Sequence, residues 1–170
     1  MRMLFTMDAK NYAPDAPLHI RPSVRGIVIR DGKVLMVHSL KYDYYKFPGG
    51  GIEAGECRIE ALCREVREET GFAVLPDSVR EYGMVHRRER DEDGTTFIQD
   101  NFYYICEAEE EIHPPQMEDY EQAAGFTLEF VDVRHAIRTN RESALENRYH
   151  TMLHREARVL EMLIEEGIVD

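Results

Sequence analysis

The stretch from Phe47 to Phe72, FPGGGIEAGECRIEALCREVREETGF, joins a glycine-rich turn to an amphipathic segment that ends in a cluster of glutamates. Apolar residues recur at helical spacing after Cys57, and Gly71 stands where a left-handed residue commonly ends a helix. The sequence therefore predicts a helix from about Cys57 to Thr70. The run of glycines before it suits a loop whose backbone closely approaches a ligand.

The glutamates of this helix, Glu65, Glu68 and Glu69, conflict with the local electrostatics. The C-terminus of a helix carries partial negative charge, and like charges three or four residues apart repel. At the angular spacing of a helix the carboxylates share an arc of about 100° beside the apolar face, where each raises the pKa of the others. A bound divalent cation makes such a group favourable, and carboxylate oxygens suit Mg²⁺, Mn²⁺ or Ca²⁺. The alternative is a solvated acidic face, the usual fate of a charge run.

The residues before the helix favour the cation. Pro48 precedes Gly49, Gly50 and Gly51, so the backbone of this loop can offer a carbonyl oxygen to a metal. Glu56 adds a further carboxylate where the loop enters the helix. Loop and helix groups could therefore share one ion.

Composition narrows the remaining possibilities. The chain has 170 residues and a formal net charge of −12, so we expect one soluble domain without affinity for duplex nucleic acid or anionic membranes. An acidic protein that handles phosphates must then supply local cations. The cysteines, Cys57, Cys63 and Cys106, have no zinc-type spacing and indicate reduced thiols in the cytoplasm. We find neither a signal peptide nor a membrane span in the sequence.

The rest of the chain indicates an α/β fold. Asp31-Gly32 predicts a hairpin turn. Strands are also predicted at EYGMVHRRER, TTFIQDNFYYICEAE and FTLEFVDV, with a mobile acidic loop over 107–124. A short helix is predicted to open in VDVRHAI, and a long helix to span 143–166. The inner face of the long helix would consist of Leu145, Met152, Leu153, Leu160 and Ile164. We expect residues 1–19 to form an arm or edge strand and residues 20–170 a single domain.

The central stretch resembles the signature of the Nudix hydrolases. That signature is Gly, five residues, Glu, seven residues, then Arg-Glu-apolar-x-Glu-Glu-x-Gly-apolar. All of its defined positions are matched, by Gly50, Glu56, Arg64, Glu65, Val66, Glu68, Glu69, Gly71 and Phe72. The order of the predicted elements is also similar to that family over about residues 20–167.

The resemblance implies an α/β/α sandwich with a mixed sheet and a long C-terminal helix. It also implies Mg²⁺- or Mn²⁺-dependent hydrolysis of a pyrophosphate bond in a nucleoside di- or triphosphate, or in a nucleoside diphosphate linked to another moiety. Carried over to this chain, Glu68 and Glu69 would be the main metal ligands, and Glu65 a ligand or general base. Glu56 and the Gly49 carbonyl would support the metal, Arg64 and Gly50 would be structural, and a homodimer is possible.

Residues outside the signature have weaker indications. Family members often take one more acid from the loop before the last strand, and Glu121 is our choice over Glu118 and Asp119. Arg87 and Arg88 would bind substrate phosphates or form surface ion pairs. Tyr45 would stack on a base or pack in the core.

The remaining sequence features do not change the predicted reaction class, and they do not identify the substrate. His150 and His154 are expected to be ordinary helix residues, because Thr151 stands where a zinc HExxH motif needs Glu. A non-catalytic Nudix-fold sensor of nucleotide ligands is the main alternative, and an isoprenoid diphosphate isomerase is a third. The intact carboxylates favour the hydrolase, whose default substrate is a nucleoside triphosphate or modified nucleotide.

Overall fold

The computed structural model describes residues 1–110, 125–146 and 148–170. The strands are β1 Met3–Asp8, β2 Leu18–Ile20, β3 Ser23–Ile27, β4 Ile29–Arg30, β5 Lys33–Ser39, β6 Tyr44–Lys46, β7 Phe72–Val74, β8 Arg80–Arg90, β9 Thr96–Ile105, β10 Ala108–Glu110 and β11 Phe126–Val131. The helices are α1 Arg58–Thr70, α2 Val133–Glu142 and α3 Arg148–Glu165, with a 3₁₀ turn over Pro76–Ser78.

A five-stranded mixed sheet is built around the antiparallel pair β8 and β9. Strand β1 runs parallel to β8 on one edge. On the other side, β2 pairs with the first part of β9 and β3 with the last part, both in parallel. This arrangement places the residues of β2 and β3 along one continuous edge of β9.

A second sheet has β5 at its centre, paired antiparallel with β11 on one side and with β4 and β6 on the other. The predicted hairpin at Asp31-Gly32 is confirmed: it joins β4 to β5, and the φ angles of 51° and 73° are those of a tight turn with left-handed residues. Strands β7 and β10 form a separate antiparallel pair.

Helices cover both sides of these sheets, which confirms the predicted sandwich. Helix α1 contributes Leu62 and Val66 to an apolar cluster with strand residues such as Phe102. Helices α2 and α3 pack in another cluster, where Leu160 meets Tyr103. Phe102 and Tyr103 are neighbours on β9, and successive side chains of a strand point to opposite faces of the sheet. One strand therefore contributes to both apolar clusters.

The predicted helix α1 is confirmed, with both ends where the sequence placed them. Cys57 is its N-cap and forms a reciprocal capping box with Glu60. Gly71 ends it in the left-handed conformation at φ 69°, and its N–H bonds to the Arg67 carbonyl oxygen. These caps fix where the glutamates lie relative to the glycine loop.

Two expected boundaries were wrong. The long C-terminal helix begins at Arg148, and residues 143–146 are not helical, because α2 ends with Ser143 in an extended conformation. Leu145 therefore lies outside the helix, where it packs against the cluster around Phe126. Ala108–Glu110, placed in the acidic loop, forms β10 against β7. No helix in the described ranges is long and apolar enough to cross a membrane.

The N-terminal strands β1 and β2 belong to the five-stranded sheet built around β8 and β9. Strand β1 pairs with β8 from Met84 to Arg88. The Leu4 side chain packs against Gly83 so closely that a Cβ atom on Gly83 would lie 2.3 Å from Leu4 Cδ2. Strand β2 crosses the boundary we set at residue 20. The division of the chain at that point stays a prediction.

Truncation of Leu62 tests the packing of α1. Leu62 is fully buried, so Leu62→Ala should lower the free energy of unfolding by about 2–5 kcal/mol, the usual cost of a core cavity. Urea denaturation measures this. The neighbouring Cys63→Ala should cost clearly less, because Cys63 is only partly buried. Equal losses would contradict the packing described for this helix.

Candidate active site

One cavity of about 1210 Å³ adjoins the signature residues. Its wall includes the glycine loop, the end of α1, the open face of β8 and β9, and the first half of α3. This volume is above the usual range for a small-molecule site, about 300–1,000 Å³, and apolar side chains share the lining with many charged ones. The cavity therefore suits a large, charged ligand.

Arg64 ties the carboxylates of loop and helix together. Its Nε and Nη2 atoms donate to the two oxygens of Glu56 at 2.8 and 2.9 Å. Its Nη1 donates to Glu65 at 2.7 Å and to Glu68 at 3.2 Å, while Nη2 also reaches the Gly51 carbonyl oxygen at 3.0 Å. These contacts lower the pKa of Glu56 and raise that of Arg64. The guanidinium thus fixes the loop to the helix.

The position of the Glu65 carboxylate leaves no room for a side chain at Gly50. A Cβ atom on Gly50 would lie 2.3 Å from Glu65 Oε2 and 2.5 Å from its Cδ. The carboxylate is therefore seated directly on the loop backbone. Burial raises the pKa of Glu65, and the Arg64 charge opposes that rise. A carboxylate of raised pKa that faces the cavity is suited to accept a proton.

Glu69 fastens the end of α1 to the strand before the glycine loop. It is buried, with Oε1 accepting from Lys46 Nζ at 2.8 Å and Oε2 from the Gly49 N–H at 2.8 Å. Gly49 has φ 135°, and a Cβ atom there would lie 2.2 Å from the Val24 carbonyl oxygen. Only glycine fits this turn. Its carbonyl oxygen accepts a hydrogen bond from Arg25 Nη1.

The donor set fits a divalent cation in charge and in chemistry. Among the described residues no three carboxylate, imidazole or thiol groups converge in a ready-made metal geometry. Lys46 neutralises Glu69, whereas Arg64 is shared by Glu56, Glu65 and Glu68. Three carboxylates and one guanidinium have a net charge of −2, which one divalent cation would balance. Glu68, with 43% of its side chain exposed, is the most accessible of the three.

Part of the cavity wall is basic, and the sequence did not single out most of its residues. Arg25 on β3, Lys46 on β6 and Arg155 on α3 all line it. Long-range pairing brings them together, since Arg25 is the register partner of Tyr103 and Arg155 donates to Gln99 on β9 at 3.2 Å. Arginines in an acidic chain were the available signal, but their positions depend on the tertiary fold.

Arg87 and Arg88 lie on opposite faces of β8. Arg87 lines the cavity, forms an ion pair with Glu89 and lies 5.4 Å from the Phe97 ring centre. The Arg88 guanidinium lies over the Tyr12 ring at 4.2 Å and is not part of the cavity wall. Alternation along a strand explains why only one of two consecutive arginines reaches the site.

Tyr45 also points away from the cavity. Its hydroxyl donates to Glu129 at 3.1 Å and its ring stacks on His38 at 4.3 Å, while Tyr42 and Tyr44 line the cavity wall. His150 and His154 contact each other on α3, with Nε2 atoms 2.9 Å apart, and do not line the cavity. Glu121, with Glu118 and Asp119, lies outside the described residues.

Gly50 and Gly51 form a matched pair for testing the seat of Glu65. Gly50→Ala should displace the Glu65 carboxylate and weaken Mn²⁺ binding at least tenfold, as measured by electron paramagnetic resonance. Gly51→Ala should bind Mn²⁺ as the wild type does, because its Cβ atom would meet only the Arg21 side chain, at 3.3 Å. Wild-type affinity in Gly50→Ala would contradict the proposed role of this seat.

Parts of this chain are similar in sequence to known proteins. The NUDIX domain profile matches residues 19–151. An RNA pyrophosphohydrolase from Halorhodospira halophila is 44% identical over 69 residues, which are 39% of this chain and 36% of that protein. One from Xylella fastidiosa is 43% identical over 65 residues, 37% of this chain and 33% of that protein. The chain thus matches about a third of the length of these relatives.

Solved structures extend the likeness to the fold. A NUDIX hydrolase from Nitrosomonas europaea has a TM-score of 0.56 at 18% identity and covers 83% of this chain and 90% of its own. The MutT protein from Bacillus halodurans has a TM-score of 0.54 at 23% identity and covers 70% of this chain and 72% of its own. With the profile matched over most of its length, the chain belongs to the NUDIX family.

Proposed function

We propose that this protein is a metal-dependent nucleotide pyrophosphohydrolase. The observation that carries the proposal is one cavity lined by both carboxylates and cations. Glu65 and Glu68 line it beside the glycine loop, and the arginines of β3, β8 and α3 line it as well. A pyrophosphate together with a divalent cation would match both kinds of charge.

The reaction is addition of water across a phosphoric anhydride bond. The water oxygen bonds to one phosphorus, the bridging P–O bond breaks, and the water proton leaves to a base. Mg²⁺ or Mn²⁺, when bound, would neutralise phosphate charge and lower the pKa of the attacking water. Gly49, through its carbonyl oxygen, and Glu56, Glu65, Glu68 and Glu69 are the residues proposed to hold it.

The chain's own residues would then orient the reactants. Glu65, with its raised pKa and fixed seat on Gly50, is the best candidate for accepting the proton. Arg64 would keep the carboxylates in place by charge-assisted hydrogen bonds. Arg25 and Lys46 would hold phosphate oxygens, because both line the cavity next to the metal ligands proposed here: Arg25 donates to the Gly49 carbonyl oxygen and Lys46 to Glu69.

The substrate class is proposed from the cavity and the relatives together. A cavity of about 1210 Å³ accommodates a nucleotide with an attached moiety, and Tyr42 and Tyr44 offer aromatic surface on its wall. The relatives named RNA pyrophosphohydrolase make a 5′-triphosphorylated RNA end one member of the class to test. A cytoplasmic location is proposed from the free thiols Cys57, Cys63 and Cys106. A homodimer stays a prediction.

A substrate panel with Mg²⁺ or Mn²⁺ tests the activity. It should contain nucleoside di- and triphosphates, nucleoside diphosphate conjugates and a 5′-triphosphorylated RNA, with products identified by mass. At least one should be cleaved at an anhydride bond. If nucleotides bind and none is cleaved, the protein is a nucleotide-binding sensor and the enzyme proposal is wrong.

Glu68→Gln and Glu69→Gln test the metal ligands on a substrate found in that panel. Each should lower kcat about a hundredfold or more, because charge that neutralises the transition state would be lost. Circular dichroism should show the fold retained. Glu142→Gln, at the exposed end of α2, is the matched control and should keep kcat within about twofold. Wild-type turnover in both Glu68→Gln and Glu69→Gln would refute the assignment.

A further inference from the structure

Alternate N–H groups from β6 into the glycine loop donate to side chains of the helices. The Tyr45 N–H donates to Asn140 Oδ1 on α2 at 2.8 Å, and the Phe47 N–H donates to Glu156 Oε2 on α3 at 3.0 Å. The Gly49 N–H donates in the same way to the carboxylate near the end of α1. Helix side chains therefore take the place that a neighbouring strand would have along this edge.

The carbonyl groups of the loop have different partners. Those of Pro48 and Gly50 accept from backbone N–H groups of β3 at 2.8 and 2.9 Å, which ties the loop to the five-stranded sheet. The Gly49 carbonyl oxygen accepts from the side chain of Arg25, a residue that lines the cavity. Because a long side chain can follow a moving oxygen, the position of this carbonyl depends mainly on the conformation of the residues before it.

A stiff link joins Phe47 to Gly49. The ring of Pro48 between them fixes its φ angle at about −65°, and a residue that precedes proline is restricted to extended conformations. Gly49 has φ 135°, with no room for a Cβ atom beside the Val24 carbonyl oxygen. A displacement of the Phe47 N–H would therefore reach the Gly49 carbonyl oxygen, because little between them can absorb it.

The Glu156 carboxylate that holds Phe47 is itself firmly held. Its side chain is fully buried, and Oε1 accepts from Arg155 Nε at 2.9 Å and from the Tyr103 hydroxyl at 3.3 Å. The other oxygen, Oε2, is thus left for the Phe47 N–H. Glu156 does not line the cavity, so it can influence a ligand there only through the residues that it holds.

We propose that Glu156 is a positioning residue for the metal site: it fixes Phe47 and, through Pro48, sets where the Gly49 carbonyl oxygen lies. This inference rests on the proposed function, in which that oxygen is a metal ligand. Residues that orient the ligands of a metal commonly affect its affinity almost as much as the ligands do. A role confined to stabilising the fold would leave the affinity of the folded protein unchanged.

Asn140 provides an internal comparison on the same edge. It is 2% exposed and pairs with both the N–H and the carbonyl oxygen of Tyr45, at 2.8 Å each. Lys46 follows Tyr45 and is held separately by its register pairing with Val37 on β5. A disturbance at Tyr45 should therefore stop there, so Asn140 should support the fold without setting the metal site.

Two double variants isolate the acceptor of the Phe47 N–H. Arg155→Met/Glu156→Leu removes it together with the buried ion pair, whose apolar replacement is often tolerated. Arg155→Met/Glu156→Gln restores an acceptor oxygen, and both variants keep the net charge of the wild type. Without nucleotide, Mn²⁺ binding followed by electron paramagnetic resonance should be about tenfold or more weaker in the first than in the second. Asn140→Leu should lower the free energy of unfolding and keep the wild-type Mn²⁺ affinity.

Hydrogen exchange in the wild type tests the same link without a variant. Mg²⁺ stabilises the whole folded protein, so exchange through complete unfolding slows equally at every amide. If an opening at Phe47 also displaces a metal ligand, Mg²⁺ should slow exchange of the Phe47 amide more than that of the Tyr45 amide. This measurement stands even if a double variant does not fold.

The outcomes separate the role of Glu156 from the metal site itself. Equal Mn²⁺ affinity in the two double variants would overturn the inference and leave the metal site in place. Equal slowing of the Phe47 and Tyr45 amides would do the same, as would a loss of Mn²⁺ affinity in Asn140→Leu as large as in Arg155→Met/Glu156→Leu. A wild type that binds no Mn²⁺ would refute the metal dependence of the proposed function, and this inference with it.

Discussion

The guanidinium of Arg64 is the interaction on which the arrangement of the site depends. It reaches Glu56 in the loop, Glu65 and Glu68 on α1, and the Gly51 carbonyl oxygen. Without it, the three carboxylates would repel one another, and Glu68 lies in the last turn of a helix whose C-terminus already carries negative charge. One cation reduces this repulsion but does not remove the excess charge. The group therefore keeps a net negative charge, which a divalent cation would offset.

Glu69 has a different structural role from Glu65 and Glu68 on the same helix. Its oxygens are engaged by Lys46 and by the Gly49 N–H, and it is buried beside the glycine loop. The carboxylate holds the loop in a conformation that has no room for a side chain at Gly49. A metal that used Glu69 would have to share it with Lys46. Neutralisation by lysine and neutralisation by a cation are thus alternatives for the same oxygens.

The sequence predicted the local parts of the site, and the tertiary fold determined the rest. The extent of α1, its caps and the shared arc of Glu65 and Glu68 follow from helical geometry and from spacing alone. The basic wall does not, because β3, β8, β9 and α3 meet only through long-range pairing. Arg87 and Arg88 are intermediate: alternation predicts that they face opposite ways, but not which one faces the cavity.

The net charge of −12 makes the basic wall more informative than it would be in a basic protein. Burying Arg87 near Arg155 costs desolvation energy and adds like-charge repulsion, and a nearby glutamate offsets only part of each. Such an arrangement is favourable when a ligand completes it. Glu56, Glu65 and Glu68 have the reverse imbalance, which a divalent cation would offset. A nucleotide that carries a divalent cation would bring to each group of side chains the charge that the group lacks.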